Sequence, residues 1–116
     1  HATSHFKVMQ KLGDTTANLQ TGIEGETFEV EEMYPAYNAV AELQEERGAV
    51  RSTKWAREAE MVHAEMYKEA KKAVESGRDA SGEQVYVCPV CGWTGVGEPP
   101  DNCPLCNAKK ELFKIY

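Results

Sequence analysis

The chain has 116 residues, a formal net charge of −6 and four Cys. An acidic balance with no basic stripe excludes nucleic acid and anionic membrane as partners, and no apolar run is long enough to span a bilayer or act as a signal peptide. The length holds one ordinary domain or two small ones, and the distribution of residues favours two: the first ~80 residues are rich in Ala, Glu, Lys and Met without Cys, as helical bundles are, whereas the remainder carries all the Cys and four of the five Pro.

In chain order, residues 1–12 read as a short helix with His5, Val8, Met9 and Leu12 near one face, stopped by Gly13. The chain opens on His1 with no cap before it, so a processed or incomplete polypeptide is expected; spacing alone makes His1 a terminal residue without a role. Asp14, Thr15 or Thr16 caps a second helix running past Pro35 toward Gly48, with Pro35 kinking or splitting it near Tyr34. Leu19, Ile23, Val30, Met33, Tyr37 and Val40 form its buried stripe. Gly48 makes the turn into a third helix over residues 50–76, whose stripe runs through Ala56, Ala59, Met66, Ala70 and Val74. Trp55 packs, and Arg57, Lys68, Lys71 and Lys72 form a solvated face.

Carboxylates interrupt these stripes. Glu26 lies on the first, and Glu60-Met61-Val62-His63 occupies the inward turn of the second. An ionised carboxylate inside an apolar interior costs several kcal/mol unless it is paired or bound to a metal. Glu-x-x-His places both ligands on one helical face, and facing helices of a four-helix bundle can close a dinuclear site. Oxygen and nitrogen ligands suit iron or manganese. Glu29, one turn on, is either another carboxylate of this site or a solvated member of the acidic run Glu29, Glu31, Glu32; Tyr34 either hydrogen-bonds a ligating carboxylate or simply packs.

Ser76 to Gly82 is small and polar and reads as a helix stop plus linker, dividing the chain into 1–80 and 81–116. Beyond it, Cys88-Pro89-Val90-Cys91-Gly92 and Cys103-Pro104-Leu105-Cys106-Asn107 form two knuckles that together offer four thiolates to one ion. The spacing leaves zinc and iron open. Paired Cys of this kind belong to a reducing compartment, hence the cytoplasm. Val85, Tyr86, Val87, Trp93, Leu112, Phe113 and Ile115 are expected to form short strands and a small apolar shell, to which the metal adds folding energy.

The run Glu26-Thr27-Phe28-Glu29-Val30-Glu31-Glu32-Met33-Tyr34-Pro35, then Glu60-Met61-Val62-His63, then the two Cys knuckles, resembles rubrerythrin over nearly the whole chain. The resemblance implies a mainly α protein with a small β part: a ferritin-like four-helix bundle with two non-haem iron ions, followed by a rubredoxin-like domain with one iron in four Cys, where zinc can substitute. It implies Glu26, Glu29, Glu60 and His63 as di-iron ligands, Tyr34 as the tyrosine hydrogen-bonded near them, and Cys88, Cys91, Cys103 and Cys106 as rubredoxin-type ligands. It also aligns His1 with the His closing the Glu-x-x-His of the family's second helix, making His1 a ligand. The family's first helix and the start of its second have no counterpart here, so the rest of the bundle must come from another polypeptide, either an N-terminal half or a second copy in a swapped homodimer. The implied activity is an NADH peroxidase-type oxidoreductase of oxidative stress defence. Hydrogen peroxide is reduced to water at the di-iron centre, and electrons arrive through the Cys domain from rubredoxin or an NAD(P)H-dependent reductase; this requires the Cys domain to approach the bundle, in an oligomer the neighbour's. The alternatives are a non-catalytic zinc-ribbon interaction module on a helical dimerisation arm, and a ferroxidase or iron-storage protein.

Overall fold

The computed structural model describes residues 1–80 and 82–116; Ser81, within the expected linker, lies outside the described residues. Helix α1 (Ala2–Val8) is short and buries no residue. It ends earlier than the periodicity suggests, because Gln10, rather than Gly13, takes the left-handed conformation (φ 55°) that terminates it. Asp14 then caps α2 (Thr15–Phe28), its carboxylate accepting from the Ala17 amide at 2.8 Å.

The expected break at Pro35 has a definite form. Residues Glu29–Met33 make a π turn between α2 and α3 (Tyr34–Leu43). Pro35 has no N–H to return to Glu31 in a regular α-helix, and the widened turn gives the Tyr34 amide to the Glu29 carbonyl instead. The Val30 carbonyl thereby loses Tyr34 and would next face Pro35, which cannot donate. Arg57 Nε reaches across from α4 (Arg47–Glu75) and donates to it at 2.9 Å. So Arg57 is more than a solvated charge.

The inserted residue also re-phases the helix by about 100°. Tyr37 and Val40, expected on the buried stripe, are more than half exposed. Tyr34, Asn38 and Ala41 turn inward in their place, and Asn38 accepts from the Thr53 hydroxyl of α4 at 2.9 Å. The turn into α4 (Arg47–Glu75) is made by Glu45 (φ 58°), and Gly48 belongs to the helix.

Helix α4 packs along α2 and α3, with Ala59 and Ala64 fully buried and Ala56, Met66, Ala70 and Val74 half-buried. Lys71, assigned to a solvated face by the sequence, is instead held across the helix pair by Gln20 at 2.9 Å. Trp55 is half-buried, with the Arg51 guanidinium 5.5 Å over its ring. After α4, Gly77 (φ 72°) turns the chain away.

The remainder is a small lobe with a three-stranded antiparallel sheet, order β2-β1-β3, from β1 (Val85–Val87), β2 (Thr94–Val96) and β3 (Lys114–Ile115). Tyr86 opposes Gly95 in register, and its ring lies where a Cβ on Gly95 would be. The core is Cys88, Cys103 and Phe113, with Tyr86, Trp93 and Leu105 against it. Leu112 and Ile115, expected in the apolar shell, are 51% and 42% exposed; Phe113 alone of that segment turns in.

Candidate metal centres

The Cys cluster is built from two equivalent knuckles. In each, the residue after the second Cys donates its amide to the carbonyl of the first: Gly92 to Cys88 and Asn107 to Cys103, both at 2.9 Å. Closing that turn demands a positive φ, which Gly92 (83°) and Asn107 (63°) supply. The Cys88 and Cys103 amides return to the Trp93 and Ala108 carbonyls at 2.8 Å. All four Cys are free, and their sulfurs lie within 4.8 Å of one another, with Cys88–Cys106 and Cys91–Cys103 both at 3.5 Å. Tetrahedral ligation with bonds of about 2.3 Å separates ligand sulfurs by about 3.8 Å, so the four fit one ion. Burial pushes the Cys91 and Cys106 thiols up; at Cys103 burial also opposes ionisation, but the amides of Cys106 and Leu105 and the Cys91 and Cys106 sulfurs together outweigh it and the thiol falls below its usual value. A bound cation deprotonates all four outright.

The second cluster lies between α2 and α4. One ligand atom each from Glu26, Glu60 and His63 falls within 4.8 Å of the others. Their side chains are a quarter exposed or less. His63 Nδ1 lies 2.5 Å from Glu60 and 3.9 Å from Glu26. Burial, reinforced by the neighbouring Glu60 carboxylate, pushes Glu26 up to about 7. Two carboxylates and an imidazole held inward and sharing so little countercharge are a donor set for a hard or borderline cation.

Glu29 stays outside that group of atoms, but burial and the Glu60 charge push its carboxyl up, so it borders the site. Burial and the charges of Glu60 and Glu29 raise Tyr34 as well. Its phenol therefore stays protonated, and its ring meets Tyr37 edge-on at 6.4 Å. His1 is exposed at the start of α1 and does not join the cluster.

Sequence reasoning missed how the two centres meet. His63 Nε2 lies 2.9 Å from Thr94 Oγ1 and 3.2 Å from the Gly92 carbonyl, both in the Cys lobe. A Cβ on Gly92 would stand 3.6 Å from that of Ala59, one turn before His63, so two small residues let the knuckle settle on α4. The only advance signal was Thr94 itself, a polar residue opening a strand directly after a knuckle. Beside the contact, His63, Met66, Tyr67 and Thr94 line a cleft of about 270 Å³.

Family comparisons divide the chain in the same way. The rubrerythrin family model matches residues 1–71, and the rubrerythrin rubredoxin-like domain matches residues 86–114. The chain belongs to the rubrerythrin family. It is 36% identical to rubrerythrin-2 of Clostridium acetobutylicum, over all of this chain and 71% of that protein. It is 35% identical to nigerythrin of Nitratidesulfovibrio vulgaris, over 85% of this chain and 48% of that one. A partially reduced nigerythrin structure superposes with a TM-score of 0.81 at 32% identity, covering 90% of this chain and 51% of the other. The chain therefore spans about half the length of the nigerythrins and carries part of a ferritin-like rubrerythrin bundle plus the rubredoxin-like domain. Rubrerythrins use a di-iron site and a rubredoxin-like site with one iron held by four Cys, and the two clusters fall in the two matched segments. Rubrerythrin family proteins are oxidoreductases. Among the described residues no helix is long and apolar enough to cross a membrane.

Proposed function

We propose that this chain is the electron-receiving half of a rubrerythrin-type peroxidase acting on hydrogen peroxide in the cytoplasm, with residues 1–80 contributing to the di-iron bundle and 81–116 forming the tetrathiolate iron relay. The observation that carries this reading is the contact of the two clusters: a Glu, Glu, His set turned inward on α2 and α4 is joined to a knuckle of the four-cysteine cluster through His63. An interaction module would have no use for inward carboxylates joined to that knuckle through His63.

Glu26, Glu60 and His63 would hold iron, with Glu29 at the border. When bound, two ferrous ions supply the two electrons that, with two protons, convert hydrogen peroxide to two waters. Loading displaces the proton that Glu26 keeps near neutrality, so metal uptake releases a proton to solvent. Tyr34, held protonated, donates toward the carboxylates and steadies their orientation. The cleft beside His63, Met66, Tyr67 and Thr94 admits a molecule of peroxide's size. Electrons come from the Cys lobe, where Cys91 is followed directly by the Gly92 carbonyl that meets His63; rubredoxin or an NAD(P)H-dependent reductase is the expected donor to that lobe.

Three inward ligands do not complete a dinuclear set, and Phe28, Val40, Leu43 and Met61 are all 45% exposed or more. Both facts call for bundle helices beyond those of residues 1–80, whether from the same polypeptide or from a second copy in a homodimer. Anaerobic ferrous titration followed by peroxide tests the reading. Wild-type protein assembled with those helices should bind iron beyond the Cys site and consume peroxide, and Glu60→Ala should lose both while keeping the Cys-site iron; equal consumption by the variant contradicts it.

A further inference from the structure

The contact between the lobes has a hydrogen-bond logic of its own. Thr94 is 8% exposed, and its hydroxyl lies 2.9 Å from the Gly92 carbonyl and 2.9 Å from His63 Nε2. Gly92 O, which can only accept, lies 3.2 Å from the same nitrogen. The opposite nitrogen, Nδ1, faces Glu60 and Glu26. A nitrogen that binds metal carries no proton, so an Nδ1-ligating ring keeps its proton on Nε2. One arrangement then satisfies every group. Nε2–H donates into the Thr94 and Gly92 oxygens, while Thr94 gives its own hydrogen to Gly92 O and turns a lone pair toward the ring.

Resting on the di-iron reading above, we propose that Thr94 is a positioning residue for the helical metal site: from the rubredoxin-like lobe it holds His63 in the tautomer and orientation that present Nδ1 to the ion. Partners of this kind on a ligating His tune metal affinity about 10–100-fold. Here the partner belongs to the other metal-binding lobe. Metal in the helices and docking of the Cys lobe must therefore favour one another, and by linkage each strengthens the other by the same factor. Ala59 and Gly92 make the approach sterically open; Thr94 makes it specific for one ring orientation.

The test uses the full chain assembled with the further bundle helices, with zinc in the Cys site, titrated with cobalt(II) and read by the weak visible bands of oxygen- and nitrogen-ligated cobalt. Thr94→Val, which keeps the shape and removes the hydroxyl, should weaken cobalt binding about 10–100-fold. Thr94→Ser, which restores the hydroxyl, should recover binding. Thr94→Ala reads the same loss without a methyl in the hydroxyl's place, should Val disturb the fold. Zinc content and helical circular dichroism should match wild type throughout, which a merely structural role for Thr94 would not allow. In the protein with zinc at both sites, long-range 15N–1H spectra should show His63 protonated on Nε2, with that proton exchanging faster in the Val and Ala variants. Cobalt binding that is equal in wild type, Val and Ala overturns the positioning role while leaving the di-iron reading intact. If wild type takes up no cobalt that Glu60→Ala abolishes, the helical metal site itself is lost, and the proposal with it.

Discussion

Glu26 shows how one side chain records both the strain of the helical site and its use. Its carboxyl is pushed up to about 7 by burial and by Glu60, whereas an unfolded Glu titrates near 4.3. The folded metal-free site therefore holds more protons than the unfolded chain between those values, and stability must fall as pH rises through that window. Metal-free helical sites should unfold at lower urea concentration at pH 8 than at pH 5, and saturating cobalt should reduce the difference; stability that rises with pH over this range would contradict the burial of Glu26. Gly92 is the second informative residue. Its φ of 83° closes the knuckle, and a Cβ placed there would stand 3.6 Å from that of Ala59, an ordinary van der Waals contact, so a methyl would fit. Gly92→Ala should thus cost about 1–2 kcal/mol through backbone strain alone, seen in the thermal midpoint of the Cys lobe.

At the scale of elements, the Glu-x-x-His and the Cys knuckles were legible because ligand spacing is local: one helical turn for Glu60 and His63, one tight turn for each Cys pair. The inward face of α4 could be read for the same reason. The far side of Pro35 could not, since a single inserted residue rotates everything after it, and no periodicity count over Tyr37 and Val40 detects that rotation. Nor could Thr94 be matched with His63, because the pair is joined only by the docking of two lobes. The π turn makes its own prediction. Arg57→Ala strips the Val30 carbonyl of its partner and should cost about 1 kcal/mol in urea unfolding. Pro35→Ala supplies the missing amide, so the same Arg57 change should cost less in that background; a double-mutant cycle with no interaction energy would refute the link.

For the molecule as a whole, the two lobes rest on different sources of stability. Helices α2, α3 and α4 pack along a long half-buried stripe with Ala41, Ala59 and Ala64 buried, whereas the short elements of the Cys lobe gather, among the described residues, around Cys88, Cys103, Thr94 and Phe113 alone. Such a small core depends on its ion. Stripping metal from the Cys site should remove amide protection from residues 85–115 and leave that of α4 in place, as hydrogen exchange would show; a lobe that stays protected without metal would deny the ion its structural part. Membership of the rubrerythrin family follows from the matched segments, while the peroxidase activity proposed above requires the centres to act together through His63.

The most direct test of that cooperation is anaerobic stopped-flow absorbance on the reduced, iron-loaded protein assembled with its complementary bundle helices. After mixing with hydrogen peroxide, the visible bands of the ferric tetrathiolate should return rapidly in wild type and far more slowly in Glu60→Ala, because electrons leave the Cys site by way of the helical centre. Bands returning at the same rate in both would mean that peroxide oxidises the Cys site directly, and would contradict the relay.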